Sequence, residues 1–127
     1  MRLSVLGRDT AALEGRLLAA RAAASGVVAR NALSDCEPFV PFDSGALRRS
    51  GTPVEHADGS ATVEWGTDAD TAAYARKQYY GNYRHDTVQN GLNAPKAQGH
   101  WFDGARAERL AEWERMYRTV YGGAIHG

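Results

Sequence analysis

The segment TPVEHADGSATVEW, from Thr52 to Trp65, carries the clearest structural signal in this 127-residue chain. Two alternating runs, TPVEHA and SATVEW, flank Asp58-Gly59, a dipeptide typical of a two-residue hairpin turn. In the second run the apolar residues occupy every other position, a pattern that gives a strand one buried and one exposed face. The sequence therefore predicts an antiparallel β-hairpin with one face against a core.

Long helices are predicted on both sides of this hairpin. Residues 10–33 fit a helix with Asp9 as its N-cap, because a short carboxylate accepts bonds from the free N–H groups of a first turn. Its apolar stripe, at spacings of three and four, comprises Leu13, Leu17, Ala20, Ala24, Val27 and Val28. Residues 100–121 fit a second helix, closed by Gly122-Gly123. Its stripe comprises Phe102, Ala105, Arg109, Trp113, Met116 and Val120.

The predicted class is α+β, with the long N-terminal and C-terminal helices packed on a small antiparallel sheet. Its length makes residues 1–127 one domain. Residues 1–8 are interpreted as an arm or a short strand, 81–99 as a long polar loop, and 122–127 as a flexible tail.

Two shorter helical segments complete the prediction. Asp43 is positioned to cap a helix over Ser44–Ser50, which Gly51 ends in the left-handed conformation. Residues 70–80 fit either a helix or a helical turn that leads into an extended segment.

Composition argues against several classes of protein. The chain has 15 Lys and Arg against 15 Asp and Glu, a net charge of zero, whereas a non-specific nucleic-acid binder needs a surplus of cations. No apolar run approaches the roughly 20 residues of a membrane span, and no signal peptide is expected at the N-terminus. The lone Cys36 cannot form an internal disulfide, and its surroundings indicate a structural thiol and not a nucleophile.

The sequence contains no pattern that indicates an enzyme. The four histidines lack zinc-ligand spacing, and neither a nucleophile elbow nor a glycine-rich phosphate loop occurs. We therefore predict no catalytic residue, no metal and no cofactor.

Eight of the twelve aromatic residues fall between Tyr74 and Tyr117. Core packing is the expected role of Tyr74, Trp113 and Tyr117, whereas the Tyr79–Tyr83 cluster fits core packing and a protein interface equally well. A second interpretation is a small nucleic-acid-binding module, in which tyrosines stack on bases beside three basic residues of the 74–101 region. These basic residues are Arg76, Lys77 and Arg84.

Three segments, in order, resemble the minor capsid, or tail-completion, proteins of tailed bacteriophages. They are PFDSGALRRSG at 41–51, VEWGTDADTAAYARKQYYG at 63–81 and NAPKAQGHWFDGARAERLAEW at 93–113. The resemblance covers about residues 34–115, and Ala94, between Asn93 and Pro95, departs from the family pattern.

This resemblance implies a structural protein of the virion neck, assembled in the host cytoplasm, that forms an oligomeric ring between the DNA-filled head and the tail. The implied partners are further copies of the chain, a head-closure or adaptor protein, and the tail tube or tail terminator protein, with no membrane. Asp43 would cap its turn, Gly45 would allow close backbone packing, and Arg48 and Arg49 would pair with carboxylates of the next subunit or face DNA in the channel. The candidate interface residues are Asp43, Gly45, Arg48, Arg49, Tyr79, Tyr80, Tyr83, His100 and Trp101.

Overall fold

The computed structural model describes residues 2–41, 46–66, 69–81 and 96–126, and the side chains of 12–41, 46–66, 71–81 and 96–126. Its helices are α1 (Arg2–Cys36), α2 (Ala46–Arg49), α3 (Ala69–Tyr80) and α4 (Trp101–His126), with a 3-10 turn at Glu37–Phe39 and strands β1 (Thr52–Glu55) and β2 (Ala61–Glu64). This arrangement confirms the α+β class, with two long helices and a small antiparallel sheet.

Helices α1 and α4 run antiparallel and form the body of the molecule. The indole Nε1 of Trp113 donates to Asp35 Oδ2 at 2.7 Å, and the guanidinium of Arg16 donates to the carbonyl of Ile125 at 3.0 Å. Both strands pack against α1, on which Arg30 lies 3.7 Å from Glu55 of β1. Helix α1 is therefore the element that joins the hairpin to α4.

The predicted arm at residues 1–8 is wrong, because α1 already begins at Arg2. A short alternation of apolar residues is ambiguous between strand and helix, and no proline interrupts this segment. Asp9 consequently lies inside the helix and is not its N-cap. The helix ends at Cys36, since Pro38 removes a backbone donor and disfavours helical geometry at Glu37.

The C-terminal end of the chain also differs from the prediction. Helix α4 continues through Gly122 and Gly123 to His126, so the predicted closure and flexible tail are wrong for the described residues. Neither glycine adopts the positive φ that ends a helix. The hydrogen bond from Arg16 to the carbonyl of Ile125 supplies a donor to one of the last carbonyls of α4.

The hairpin is confirmed, with Pro53 opposite Val63 and Val54 opposite Thr62. Its turn has three residues and not two, because the His56 N–H donates to the Ser60 carbonyl at 2.9 Å and leaves 57–59 as the loop. Gly59 takes φ +85°, the left-handed conformation that three-residue hairpin loops require.

The bounds of α2 and α3 differ from the predicted ones. Helix α2 covers Ala46–Arg49, and Gly51 is not left-handed; instead the Ser50 hydroxyl donates to the Leu47 carbonyl at 2.6 Å where the helix ends. Residues 69–80 form a complete helix, the first of the two alternatives. Gly81 and 96–99 are irregular, as the predicted loop requires, whereas 82–95 lie outside the described residues.

The core forms where α1, the 3-10 turn, α2, α3 and α4 meet. Its buried residues are Ala32, Cys36, Phe39, Val40, Leu47, Ala75, Trp101, Ala105 and Trp113. Of the two predicted stripes, Ala20 and Ala24 of α1 are buried, but Arg109 of α4 is exposed and pairs with Glu112 at 2.7 Å. Burial raises the pKa of the Cys36 thiol to about 12, with the Asp35 carboxylate adding to the effect.

Gly15 and Gly66 give opposite expectations for substitution by alanine. A Cβ on Gly15, inside α1, meets no atom within 4 Å, so Gly15→Ala should raise the free energy of unfolding by up to about 1 kcal/mol. Gly66 has φ +71°, and its Cβ would lie 2.6 Å from the Thr71 carbonyl oxygen. Gly66→Ala should therefore lower that free energy by about 2 kcal/mol or more. Urea unfolding followed by tryptophan fluorescence measures both changes, and equal effects would contradict the difference in steric strain between the two positions.

The Cys36 thiol should be unreactive in the folded protein. With a pKa near 12 and no exposed surface, it has almost no thiolate at pH 8. A chromogenic disulfide reagent should therefore label the native protein at least a hundredfold more slowly than the protein in 6 M urea, where the thiol is exposed. Equal labelling rates in the two conditions would show that this part of the core opens readily.

Candidate functional site

An open apolar cavity of about 670 Å³ lies between α1, β2, α3 and α4. We call it the aromatic groove. Small residues of α1, among them Ser25, Ala29 and Ala32, form one wall. The other walls carry large aromatic side chains, which are Trp65, Tyr79, Tyr80, Trp101, Phe102, Trp113 and Tyr117. Arg76 of α3 is exposed and lies at the edge of the groove.

His100 precedes α4 and packs against two tyrosines of the groove lining. It adopts φ +50°, and its N–H donates to the Tyr79 carbonyl at 3.0 Å. Its ring packs against Tyr79 and Tyr80, with centroids 4.8 and 5.5 Å away, and its Nδ1 lies 3.4 Å from Asp103 Oδ2. The predicted position of His100 at the helix start is therefore confirmed.

The candidate aromatic residues separate into buried and exposed members. Trp101 is 1% exposed and packs edge-on against Trp65 and Tyr79, at centroid distances of 5.6 and 4.6 Å. The pKa of Tyr79 is raised, first by burial and then by the Asp103 carboxylate. Tyr80 is 69% exposed, so its ring presents a surface.

Two expectations about tyrosines also change. Tyr74 is expected in the core from the sequence but is 38% exposed. Tyr117 is half-buried and stacks on Tyr121, with centroids 5.9 Å apart, whereas Trp113 is buried as expected. Tyr83 lies outside the described residues.

The two arginines of α2 differ in their exposure. The Arg48 guanidinium donates to the Val40 carbonyl at 2.9 Å and is half-buried, so it contributes to the fold of its own chain. Arg49 is exposed. Asp43 and Gly45 lie outside the described residues, and their predicted roles stay predictions.

Leu13 and Leu17 of α1 are exposed, although the sequence pattern places them in a core stripe. Every residue from 12 to 19 is exposed, including Leu13 at 52%, Leu17 at 36% and Leu18 at 42%. We call this stretch the leucine segment. The predicted helices, 10–33 and 100–121, are nearly equal in length, so the sequence contained no signal of this exposure. In the structure the 35 residues of α1 span about 52 Å and the 26 residues of α4 about 39 Å.

The groove does not assemble recognisable reaction chemistry. Within the described side chains, no three His, Cys, Asp or Glu residues are grouped so that they could hold a metal ion. His56, on the hairpin, bonds Thr62 at 2.9 Å and lies outside the groove lining. None of the described helices combines the length and apolar character needed to cross a membrane.

Two of the three basic residues proposed for nucleic-acid binding lie on α3. Arg76 and Lys77 are exposed, and Arg84 lies outside the described residues. The ring of Tyr79 is already packed against Trp101, which leaves Tyr80 and Tyr74 as exposed rings on this helix. A continuous stacking surface of tyrosines is therefore absent from the described part of α3.

Similarity to known proteins identifies the family of the chain. A family model described as minor capsid protein matches residues 9–120, from α1 through most of α4. No curated protein and no solved structure gives a significant match. Because the family match spans nearly the whole fold described above, the chain belongs to the phage minor capsid protein family, whose members have structural roles in the virion.

Proposed function

We propose that this chain is a non-enzymatic neck protein that forms a ring between the DNA-filled head and the tail of the phage. The observation that carries the proposal is the minor capsid family match over residues 9–120. The ordered motifs at 41–51, 63–81 and 93–113 point, within that family, to the tail-completion proteins.

The distribution of exposed features supports a ring of identical subunits. A ring is built from head-to-tail contacts, which use two different patches on each subunit. The leucine segment and the aromatic groove are two such patches, and they occupy different parts of the molecule. Exposed leucines and large rings are residue types that protein interfaces bury.

The proposed neighbours follow from the position of such a ring. One face contacts the head-closure or adaptor protein, and the other contacts the tail tube or tail terminator protein. The Arg49 side chain and the α2 turn belong to these contacts or face DNA in the channel. The neck of the virion, after assembly in the host cytoplasm, is the proposed location.

A phage that lacks this gene should accumulate two unjoined products. Electron microscopy of its lysates should show filled heads and separate, complete tails, because both are assembled but not connected. Supplying the gene in trans should restore joined particles. Intact, infectious virions in the absence of the gene would contradict the neck role.

Charge reversal at Arg49 should block joining without unfolding the protein. Arg49 is exposed, so Arg49→Glu should leave the far-ultraviolet circular dichroism spectrum unchanged while infectious yield falls at least tenfold. Arg48 is unsuitable for this test because its guanidinium bonds Val40 of the same chain. Arg106→Glu, an exposed reversal on α4, is the matched control and should keep normal yield. Normal yield from Arg49→Glu would remove this turn from the interface.

A further inference from the structure

The leucine segment has an apolar face that is only partly covered by the described part of the chain. Positions 13, 14, 17 and 18 lie on one side of a helix, because residues three to four apart are neighbours on its surface. This side continues the one that carries Ala24, which is fully buried, further along α1. The stripe thus passes from buried to exposed positions along α1, and Leu18 lies near Gly59 in the hairpin turn.

The leucine segment keeps apolar side chains exposed that a partner would bury. Most helices in proteins are stabilised by packing of an apolar face. Gly15 weakens the segment further, by about 1 kcal/mol relative to alanine. The exposure of Leu13 and Leu17 therefore indicates a surface that becomes buried in an assembly.

The aromatic groove has the properties of a surface that receives such a helix. Its 670 Å³ falls within the range of protein binding clefts, and its lining is largely apolar. An amphipathic helix in an apolar groove is a recurrent mode of recognition, with side chains one turn apart as anchors. Leu13 and Leu17 are spaced by one turn.

Charge also matches between the two surfaces. Glu14 lies among the leucines on the exposed face of the segment, where a carboxylate adds nothing to apolar packing. Arg76 lies at the edge of the groove and is exposed. Neither residue forms an ion pair within the described part of the chain. A helix seated in the groove would bring its acidic residue to this basic edge.

The geometry of α1 excludes insertion into the groove of the same chain. The groove wall includes Val28 and Ala32, which are on the same continuous helix as the segment. Leu17 and Val28 are eleven positions apart, which corresponds to about 16 Å along a straight helix. The leucine segment cannot enter the groove of its own chain without breaking α1, so a leucine segment in the groove must come from a second copy.

We propose that the leucine segment of one subunit inserts into the aromatic groove of the next copy of this chain, with Glu14 beside Arg76 of that neighbour. This contact rests on the proposed ring and names the surfaces that form it. Because the segment and the groove are different patches, the contact is head-to-tail and repeats around a ring.

A charge exchange in the full-length protein tests the contact. Purified protein is added to extracts of the gene-deleted phage that contain filled heads and free tails, and joined particles are counted. Glu14→Arg and Arg76→Glu should each lower joining at least tenfold, because like charges then meet across the contact. The double variant should recover to within about threefold of the unchanged protein, since the attractive pair is restored with reversed sign.

Two controls accompany this exchange. Glu114→Arg and Arg106→Glu, exposed reversals on α4, should join particles normally. Circular dichroism should show that all variants are folded. Full joining by the single variants would overturn the proposed pair. So would a double variant that joins no more particles than the less active of the two single variants.

A photo-crosslinking amino acid at position 17 tests the occupant of the groove directly. Unlabelled protein carrying it is mixed with ¹⁵N-labelled unchanged protein, and cross-links are mapped in joined particles and in the concentrated protein alone. We expect light-to-heavy links to α3 between Ala72 and Tyr80, or to α4 between Trp101 and Tyr117.

The two preparations separate failure of this contact from failure of the neck role. Links from position 17 only within one chain, only to another virion protein, or absent from both preparations would overturn the contact even if the deletion phage fails to join heads and tails. Intact virions without the gene would overturn the neck role, while light-to-heavy links in the concentrated protein would still support the contact.

Discussion

The indole of Trp101 is the contact on which the rest of the structure depends. It begins α4, is 1% exposed, and meets Trp65 at the end of the hairpin and Tyr79 of α3 edge-on. Edge-to-face aromatic pairs contribute about 0.5–1.5 kcal/mol beyond the area that they bury. One side chain thereby fixes the positions of the hairpin, α3 and the start of α4 relative to one another. The hairpin needs this support, because a two-stranded sheet is marginally stable alone.

Periodicity predicted the elements of this fold better than their ends. The hairpin from Thr52 to Glu64, the two long helices and the α+β class followed from alternation and from three-four spacing. At the C-terminus the end of the helix coincides with a tertiary contact that a local pattern does not contain. Gly122 and Gly123 were predicted to end α4, but the helix continues past them to His126. The carbonyl of Ile125 accepts a hydrogen bond from the guanidinium of Arg16, over a hundred residues away in sequence.

The candidate site was predictable in its composition but not in its exposure. The sequence indicated an aromatic cluster near Tyr79 and Trp101, and the structure brings these rings together with Trp65. It did not indicate that Trp101 is buried while Tyr80 is 69% exposed, because adjacent helical and turn residues point in different directions. The leucine stripe was misassigned to the core because periodicity identifies which residues share a face, and only packing shows what covers that face.

The relation between α1 and the body explains why this fold presents two unmatched apolar surfaces at once. Helix α1 is longer than α4, its antiparallel partner, so part of its apolar stripe extends beyond it. The hairpin has only two strands, and the space between it, α3 and α4 stays open as the aromatic groove. A chain with a partly exposed apolar stripe and an open apolar groove has features that association can stabilise, and a structural role in the virion supplies the setting for that association.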